Sequence, residues 1–316
     1  MKQYHDLLKK ILAEGVLQEN RTGVSAYSIV GEILSFDMND GFPAITTKKL
    51  AFNQVKGELI GFIRGYTNAA EFRDLGCTIW DQNANENEAW LKNPSRVGED
   101  DLGVIYGSQW RQWEDLKIVY SYEAAEDLSS QGYRQVMYEC DDGTESYTML
   151  RCIDQLANAL HDVVHNPTSR RIKVEAWNPA QISNMALPPC HTGFQLYVNT
   201  QDTELSMTMN QRSCDMFLGI PFNIASYALL LHIIAQATGY TPRHLKMFLT
   251  DCHIYSNHVE QVKEQLTRDE YTLPIVTIRQ NKFADTPLDY IESLDTNDIW
   301  LHNYQSHPAI KAPMAV

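Results

Sequence analysis

The stretch at residues 205–240, LSMTMNQRSCDMFLGIPFNIASYALLLHIIAQATGY, decides the fold class. Its first eight residues alternate. Leu205, Met207 and Met209 fall on one face, and Thr208, Asn210 and Arg212 on the other, which is the period of a half-buried strand. After Pro221 the alternation gives way to residues that are apolar nearly all round, which predicts a long helix at the centre of the core. Asn223, Ser226, His232 and Gln236 interrupt the apolar stretch from Met216 to Tyr240, so a buried helix fits it better than a membrane span.

A second clear strand lies at residues 171–177, RIKVEAW, where Ile172, Val174 and Ala176 alternate with polar neighbours. Tyr4, Leu7, Leu8, Ile11 and Leu12 have helical spacing near the start of the chain. The β-branched and aromatic residues from Ala26 to Met38 predict a strand at the edge of a pair, ended by Asn39-Asp40-Gly41. Helices are expected from Phe52 to Gly65, from Asn68 as N-cap to about Leu75, and from about Leu150 to His165. Strands mixed with irregularly placed helices indicate an α+β class rather than a repeating βαβ wind. The acidic segment at about 114–149, with Asp141-Asp142-Gly143 as a turn signal, reads as a peripheral insertion in a single domain spanning 1–316.

The chain has 316 residues and a formal net charge of −14. That charge argues against a protein whose main task is to wrap nucleic acid. An anionic small substrate requires arginines concentrated at one place against the overall field. The first residues lack the apolar core of a signal peptide. The six cysteines are scattered with no C-x-x-C pair, so neither a disulfide framework nor a metal site is expected, and a reduced cytoplasmic setting fits.

Several residues stand out as chemically capable. Cys190 follows Leu187-Pro188-Pro189, and two prolines present its thiol at the end of a stiff segment; the bland alternative is a buried, inert cysteine. His191 beside it makes a poor Cys-His dyad, because neighbours on a strand point to opposite faces. In Gln211-Arg212-Ser213-Cys214-Asp215, the arginine and serine can hold a phosphate, or Ser213 or Asp215 can simply cap the next helix. Ser169-Arg170-Arg171 and Arg21-Thr22-Gly23 are further anion contacts, each also readable as solvated charge. Asn223 offers a donor and an acceptor to a heterocycle edge, or a cap to the helix. His253 and Tyr255 share a face if their segment is extended. Glu58, among Leu59, Ile60 and Phe62, is a candidate perturbed carboxylate unless it sits on an exposed helix face.

Taken in order, these motifs resemble one family from end to end. The matching stretches are 21–23 (RTG), 41–43 (GFP), 46–48 (TTK), 79–81 (IWD), 106–111 (YGSQWR) and 169–171 (SRR). They continue through 186–191 (ALPPCH), 211–215 (QRSCD), 218–227 (LGIPFNIASY), 253–258 (HIYSNH) and 310–316 (IKAPMAV). On these residues the chain resembles the thymidylate synthases.

The resemblance implies a large mixed twisted sheet packed with helices, a dimer formed through that sheet, and reductive methylation of deoxyuridylate (dUMP) to thymidylate (dTMP). The one-carbon and hydride donor would be 5,10-methylenetetrahydrofolate, without a metal. Cys190 would add to pyrimidine C6. Arg212, Ser213 and Arg21 would serve the phosphate, with Arg170 and Arg171 arriving from the other subunit, and Gln211 would be a further substrate-binding residue. Asn223 would read the uracil edge, and His253 and Tyr255 the ribose hydroxyl. Asp215 would contact the base or orient the folate. Glu58, Tyr106 and His191 would organise water and proton transfers. Trp80, Lys48, Leu218, Gly219 and the carboxylate of Val316 would serve the folate side.

Two departures from the family pattern are Asn83, where a second tryptophan often stands, and Asn210, where a tyrosine is usual. Competing expectations are a deoxyuridylate hydroxymethylase of the same fold, a regulatory RNA-binding protein without chemistry, and a cysteine hydrolase. The last lacks a suitably spaced base and orienting partner.

Overall fold

The computed structural model describes residues 1–20, 23–280 and 284–314. The strands of the main sheet are β1 (Val16–Gln18) and β2 (Ala26–Asp37), followed beyond a separate sheet at residues 113–153 by β6 (Lys173–Glu175), β7 (His191–Asn199), β8 (Glu204–Asp215) and β9 (Thr241–Tyr255). Their spatial order is β1-β2-β9-β8-β7-β6. Every pairing is antiparallel except β8 with β9, which is parallel. The sheet is therefore mixed and the class α+β, as expected.

The parallel pair requires a crossover, because two strands running the same way cannot be joined by a tight turn. The helix Gly219–Thr238 makes that crossover. It packs on β8 and β9, where Leu205, Met207, Met209, Leu245, Met247 and Leu249 present the buried face of the sheet. Ile224, Leu229, Leu230, Leu231, Ile233 and Ile234 of the helix are all buried. This explains an apolar helix of membrane-spanning length without a membrane. The helix starts at Gly219, two residues earlier than expected. Pro221 thus falls in the first turn, where its missing N–H is not needed. Gly239 ends the helix in the left-handed region at φ 79°.

On β8 and β9 the buried/open alternation slips by one residue at Arg212–Ser213 and at Thr250–Asp251. Gly31, with φ 75°, lies at the same level of β2, and β7 shifts register between His191 and Gly193. Four adjacent strands are creased along one line. A crease of this kind re-aims the side chains beyond it, here Ser213, Asp215, Asp251, His253 and Tyr255.

Most local expectations hold. The first helix is Lys2–Glu14, the second Phe52–Arg64, and Asn68 caps Ala69–Asp74 by accepting from Ala70 N–H at 2.9 Å. Three are corrected. The segment from Ala26 is one continuous strand with β1 outside it, so it is not an edge. The strand at 171–177 is shorter than expected, assigned only as β6, although Ile172, Val174 and Ala176 are buried as the alternation required and backbone bonds of Ile172 and Ala176 to β7 extend it at each end. The helix assigned from Leu150 begins at Gln155, with Asp154 accepting from Ala157 N–H at 2.8 Å.

Leu150 belongs instead to a separate antiparallel sheet made of β3 (Trp113–Val119), β4 (Arg134–Asp141) and β5 (Thr144–Ile153), in the order β3-β5-β4. Asp142 and Gly143, at φ 48° and 81°, make the two-residue hairpin turn that Asp141-Asp142-Gly143 signalled. One face of this sheet covers the helix Tyr122–Ser130 through a small core of Ala125, Leu128, Tyr133, Tyr147 and Met149. The last two strands are β10 (Ile275–Ile278) and β11 (Ile299–His302), an antiparallel pair.

Candidate active site

Cys190, Arg212, Ser213, His253 and Tyr255 line one cavity of about 590 Å³, together with Asp251, Trp177 and Asn20. They come from the loop before β7, from the crease in β8, and from the end of β9. Register explains the meeting: Ser213 pairs with Asp251, and Asp215 with His253, across the parallel ladder. His253 and Tyr255 do share a face, with ring centres 5.1 Å apart. Burial on its own would lower the His253 pKa, but the hydrogen bond and charge of Asp251 outweigh it and raise the pKa.

Arg212 is tied to the segment that carries the thiol. Its Nε donates to Pro189 O at 2.8 Å and its Nη2 to Pro188 O at 3.0 Å, while its backbone N–H donates to Cys190 O at 2.8 Å. The Cys190 N–H donates to Tyr106 Oη at 2.7 Å. The cysteine is thus held from both sides by its main chain. None of the six cysteines is in a disulfide.

Behind the cavity wall lies a buried group built on Glu58, Trp80, Tyr106 and His191. Trp80 Nε1 donates to Glu58 at 3.1 Å. Burial pushes the Glu58 carboxyl up to about 8, and this hydrogen bond offsets only part of the shift. Glu58 is therefore the perturbed carboxylate, not an exposed helix residue. His191 turns away from Cys190, as strand geometry required. Its Nδ1 meets Tyr227 Oη at 2.8 Å, and its ring sits 4.4 Å from that of Tyr106. Burial lowers its pKa to about 3. Burial thus disfavours the charged form of both Glu58 and His191.

Asp215, Lys48, Phe217, Leu218 and Gly219 form a third group at the entry to the central helix. Asp215 Oδ1 accepts from the N–H groups of Phe217 and Leu218 at 3.0 and 3.1 Å. It shapes the turn ahead of the helix, whose N-cap position is Leu218. Lys48 Nζ donates to Phe217 O and stands 3.7 Å over the Phe217 ring. Burial lowers its pKa to about 8, with the Asp215 charge opposing the shift. Asn223 does not cap the helix. It lies within the second turn, where its Oδ1 accepts from Gln211 Nε2 at 3.0 Å.

Arg170 and Arg171 are not brought to this cavity within one chain. Both are exposed, and Arg170 lines a separate groove with Gln195, Tyr197 and Lys246. Arg21 and Val316 lie outside the described residues; Asn20, just before Arg21, lines the cavity. Among the described residues no group of three or more His, Cys, Asp or Glu is placed to hold a metal ion. Asn83 sits half-buried in the short helix Asp81–Asn85, and Asn210 is exposed on β8.

Two contacts went unnoticed in the sequence. Tyr227 partners His191, and Trp177 faces Arg212, with the guanidinium carbon 5.1 Å from its ring centre. Both residues lie in stretches already singled out, but nothing local says which ring or cation a distant aromatic will meet.

A thiol held beside an arginine, with a hydroxyl, an imidazole and a phenol on the same wall, is the make-up of a group-transfer enzyme for a small anionic substrate. Comparison with known proteins gives the family. The thymidylate synthase family model matches residues 2–316. The chain is 46% identical to the thymidylate synthases of Pseudomonas syringae pv. tomato and Pseudomonas putida, over the full length of each pair. It is 45% identical to that of Bordetella parapertussis, again over both full lengths. The chain belongs to the thymidylate synthase family.

Proposed function

We propose that the protein methylates deoxyuridylate at C5 to give thymidylate, with 5,10-methylenetetrahydrofolate as second substrate and dihydrofolate as second product. The observation that carries this reading is the single cavity holding Cys190, Arg212, Ser213, His253 and Tyr255. Cys190 adds through sulfur to C6 of the pyrimidine, and the displaced electron pair makes C5 nucleophilic. Arg212 and Ser213 take the phosphate, with Arg21, and the arginine favours the thiolate. His253 and Tyr255 bind the deoxyribose hydroxyl. Asn223, its amide oriented by Gln211, reads the N3–H and O4 edge of uracil.

Glu58, its pKa raised by burial, moves protons at the pyrimidine together with Tyr106 and His191. The folate supplies the one-carbon unit and the hydride. Lys48, Trp80, Leu218, Gly219 and Asp215 would serve the folate side, Lys48 as a cation for a carboxylated ligand and Trp80 as an aromatic wall. The resemblance to the family gives the Val316 carboxylate, outside the described residues, a role on the folate side as well.

We take the chain to be one catalytic domain with a peripheral segment at 114–149, working as a cytoplasmic homodimer. Ile33, Phe248 and Tyr197 stand exposed on the strands β2, β9 and β7, an apolar surface suited to a second copy. Arg170, beside Tyr197 in its groove, is the residue such a partner would receive at its phosphate, with Arg171.

Purified protein with deoxyuridylate and methylenetetrahydrofolate tests the reading. Thymidylate formed in step with dihydrofolate is expected. Hydroxymethyl-deoxyuridylate without dihydrofolate would overturn it in favour of a hydroxymethylase.

A further inference from the structure

Trp177 lines the cavity beside Cys190 and is 36% exposed, yet it belongs to neither apolar cluster. An indole left more than a third open to solvent at the cavity wall, and outside both apolar clusters, is not accounted for by core packing alone. The Arg212 guanidinium lies 5.1 Å from its ring centre, within reach of a cation–π contact. The two carbonyl bonds from Arg212, to Pro188 and Pro189, fix the guanidinium within its own plane. They leave it free to tilt about the line joining the two oxygens. The indole ring lies over the guanidinium and bounds that tilt on one side.

Trp177 is itself firmly seated. Its N–H donates to Thr192 O at 3.2 Å. The next residue, Asn178, is buried and donates to Gln109 at 3.1 Å and Gln181 at 3.3 Å. The ring therefore stands on a rigid base between β6 and the loop that follows.

We infer that Trp177 is a positioning residue for the reaction: its ring holds the Arg212 guanidinium in the orientation that directs the remaining N–H groups to the substrate phosphate and keeps the positive charge beside the Cys190 thiol. This deepens the assignment of Cys190 and Arg212 above and rests on it. A guanidinium carries five N–H donors in one plane. With one from Nε and one from Nη2 spent on the proline carbonyls, the direction of the others follows from the tilt that Trp177 sets.

The test compares Trp177→Ala, Trp177→Phe and Trp177→Leu in the full-length enzyme. Three quantities are read: KM for each substrate, kcat, and the pH profile of iodoacetamide alkylation at Cys190, followed by peptide mass mapping in the absence of nucleotide. Trp177→Ala is expected to raise the KM for deoxyuridylate about tenfold, equivalent to about 1.4 kcal/mol. It should also move half-alkylation of Cys190 to higher pH, with the KM for the folate unchanged. Phenylalanine, which keeps an aromatic face for the cation, restores most of both effects, and leucine, which keeps only bulk, does not.

Wild-type values in Trp177→Ala would overturn the inference, as would equal rescue by leucine and phenylalanine. If the alanine variant does not fold, the leucine and phenylalanine pair decides alone. Cys190→Ala, assayed alongside, separates the two levels. Full turnover there refutes the nucleophile itself, whereas a dead Cys190→Ala beside an unimpaired Trp177→Ala refutes only the role of the tryptophan.

Discussion

The indole N–H of Trp80 donates to the Glu58 carboxyl across 3.1 Å, with both side chains buried. The carboxyl is still pushed up to about 8 from 4.5, so desolvation outweighs the hydrogen bond. Between those two pH values the folded chain keeps a proton that the unfolded chain releases. Stability contributed at this site therefore falls as pH rises through that window. Glu58→Gln removes the penalty. Thermal melts are expected to show it stabilised relative to wild type at pH 8 more than at pH 5, by on the order of a few kcal/mol. Turnover should drop about 100-fold or more, the usual contribution of a proton-transfer group.

Cys190→Ala is expected to lose at least about 10⁴-fold in kcat while still binding deoxyuridylate. Calorimetric titration with the nucleotide, set beside single-turnover assays, checks both halves. Substantial residual methylation would remove the covalent mechanism.

Arg212 is bound to the carbonyls of Pro188 and Pro189 and faces the cavity that holds Cys190. Arg212→Ala is expected to raise the KM for deoxyuridylate about 10- to 100-fold through loss of charge-assisted hydrogen bonds, and to lower kcat as well. Arg212→Lys should not rescue it, because an ammonium cannot bridge two carbonyls and a phosphate with a planar fork. Steady-state kinetics on the two variants decide this, and a fully active lysine variant would contradict the role given to the fork.

Arg170→Ala and Cys190→Ala should each be inactive alone. Mixed, dissociated and reassociated, they are expected to regain about one quarter of wild-type activity. Random pairing makes half the dimers mixed, and each mixed dimer has one intact site. No recovery, in a sample shown by native mass spectrometry to contain mixed dimers, would place Arg170 outside the partner's site.

Leu230 is fully buried in the central helix. Leu230→Ala is expected to cost about 2–5 kcal/mol in denaturant unfolding, the range for a buried leucine truncated to alanine.

Much of this fold was legible because periodicity reports burial directly. Leu205, Met207 and Met209 alternate and are buried, and the helix after Gly219 is apolar all round because protein surrounds it. The start of the helix at Gln155 was misplaced because Leu150 is apolar in either element, and only the pairing of Leu150 with Leu116 and Arg134 decides for strand. The cavity residues were visible as motifs. Their meeting was not, since Ser213 and Asp251 are joined only by strand register. The partners of His191 and Arg212 were hidden for the same reason. Tyr227 and Trp177 reach them through the folded chain, and sequence distance says nothing of that.

The parallel ladder between β8 and β9 also orders events in time. An antiparallel hairpin closes locally and early, but these two strands can pair only after the Gly219–Thr238 crossover has been laid down. The loop-closure entropy must be met before any contact in the ladder offsets it. Ser213, Asp215 and His253 therefore come together only once that crossover loop has closed, so the substrate pocket depends on a non-local pairing. Refolding followed by intrinsic compaction should run ahead of recovered nucleotide binding.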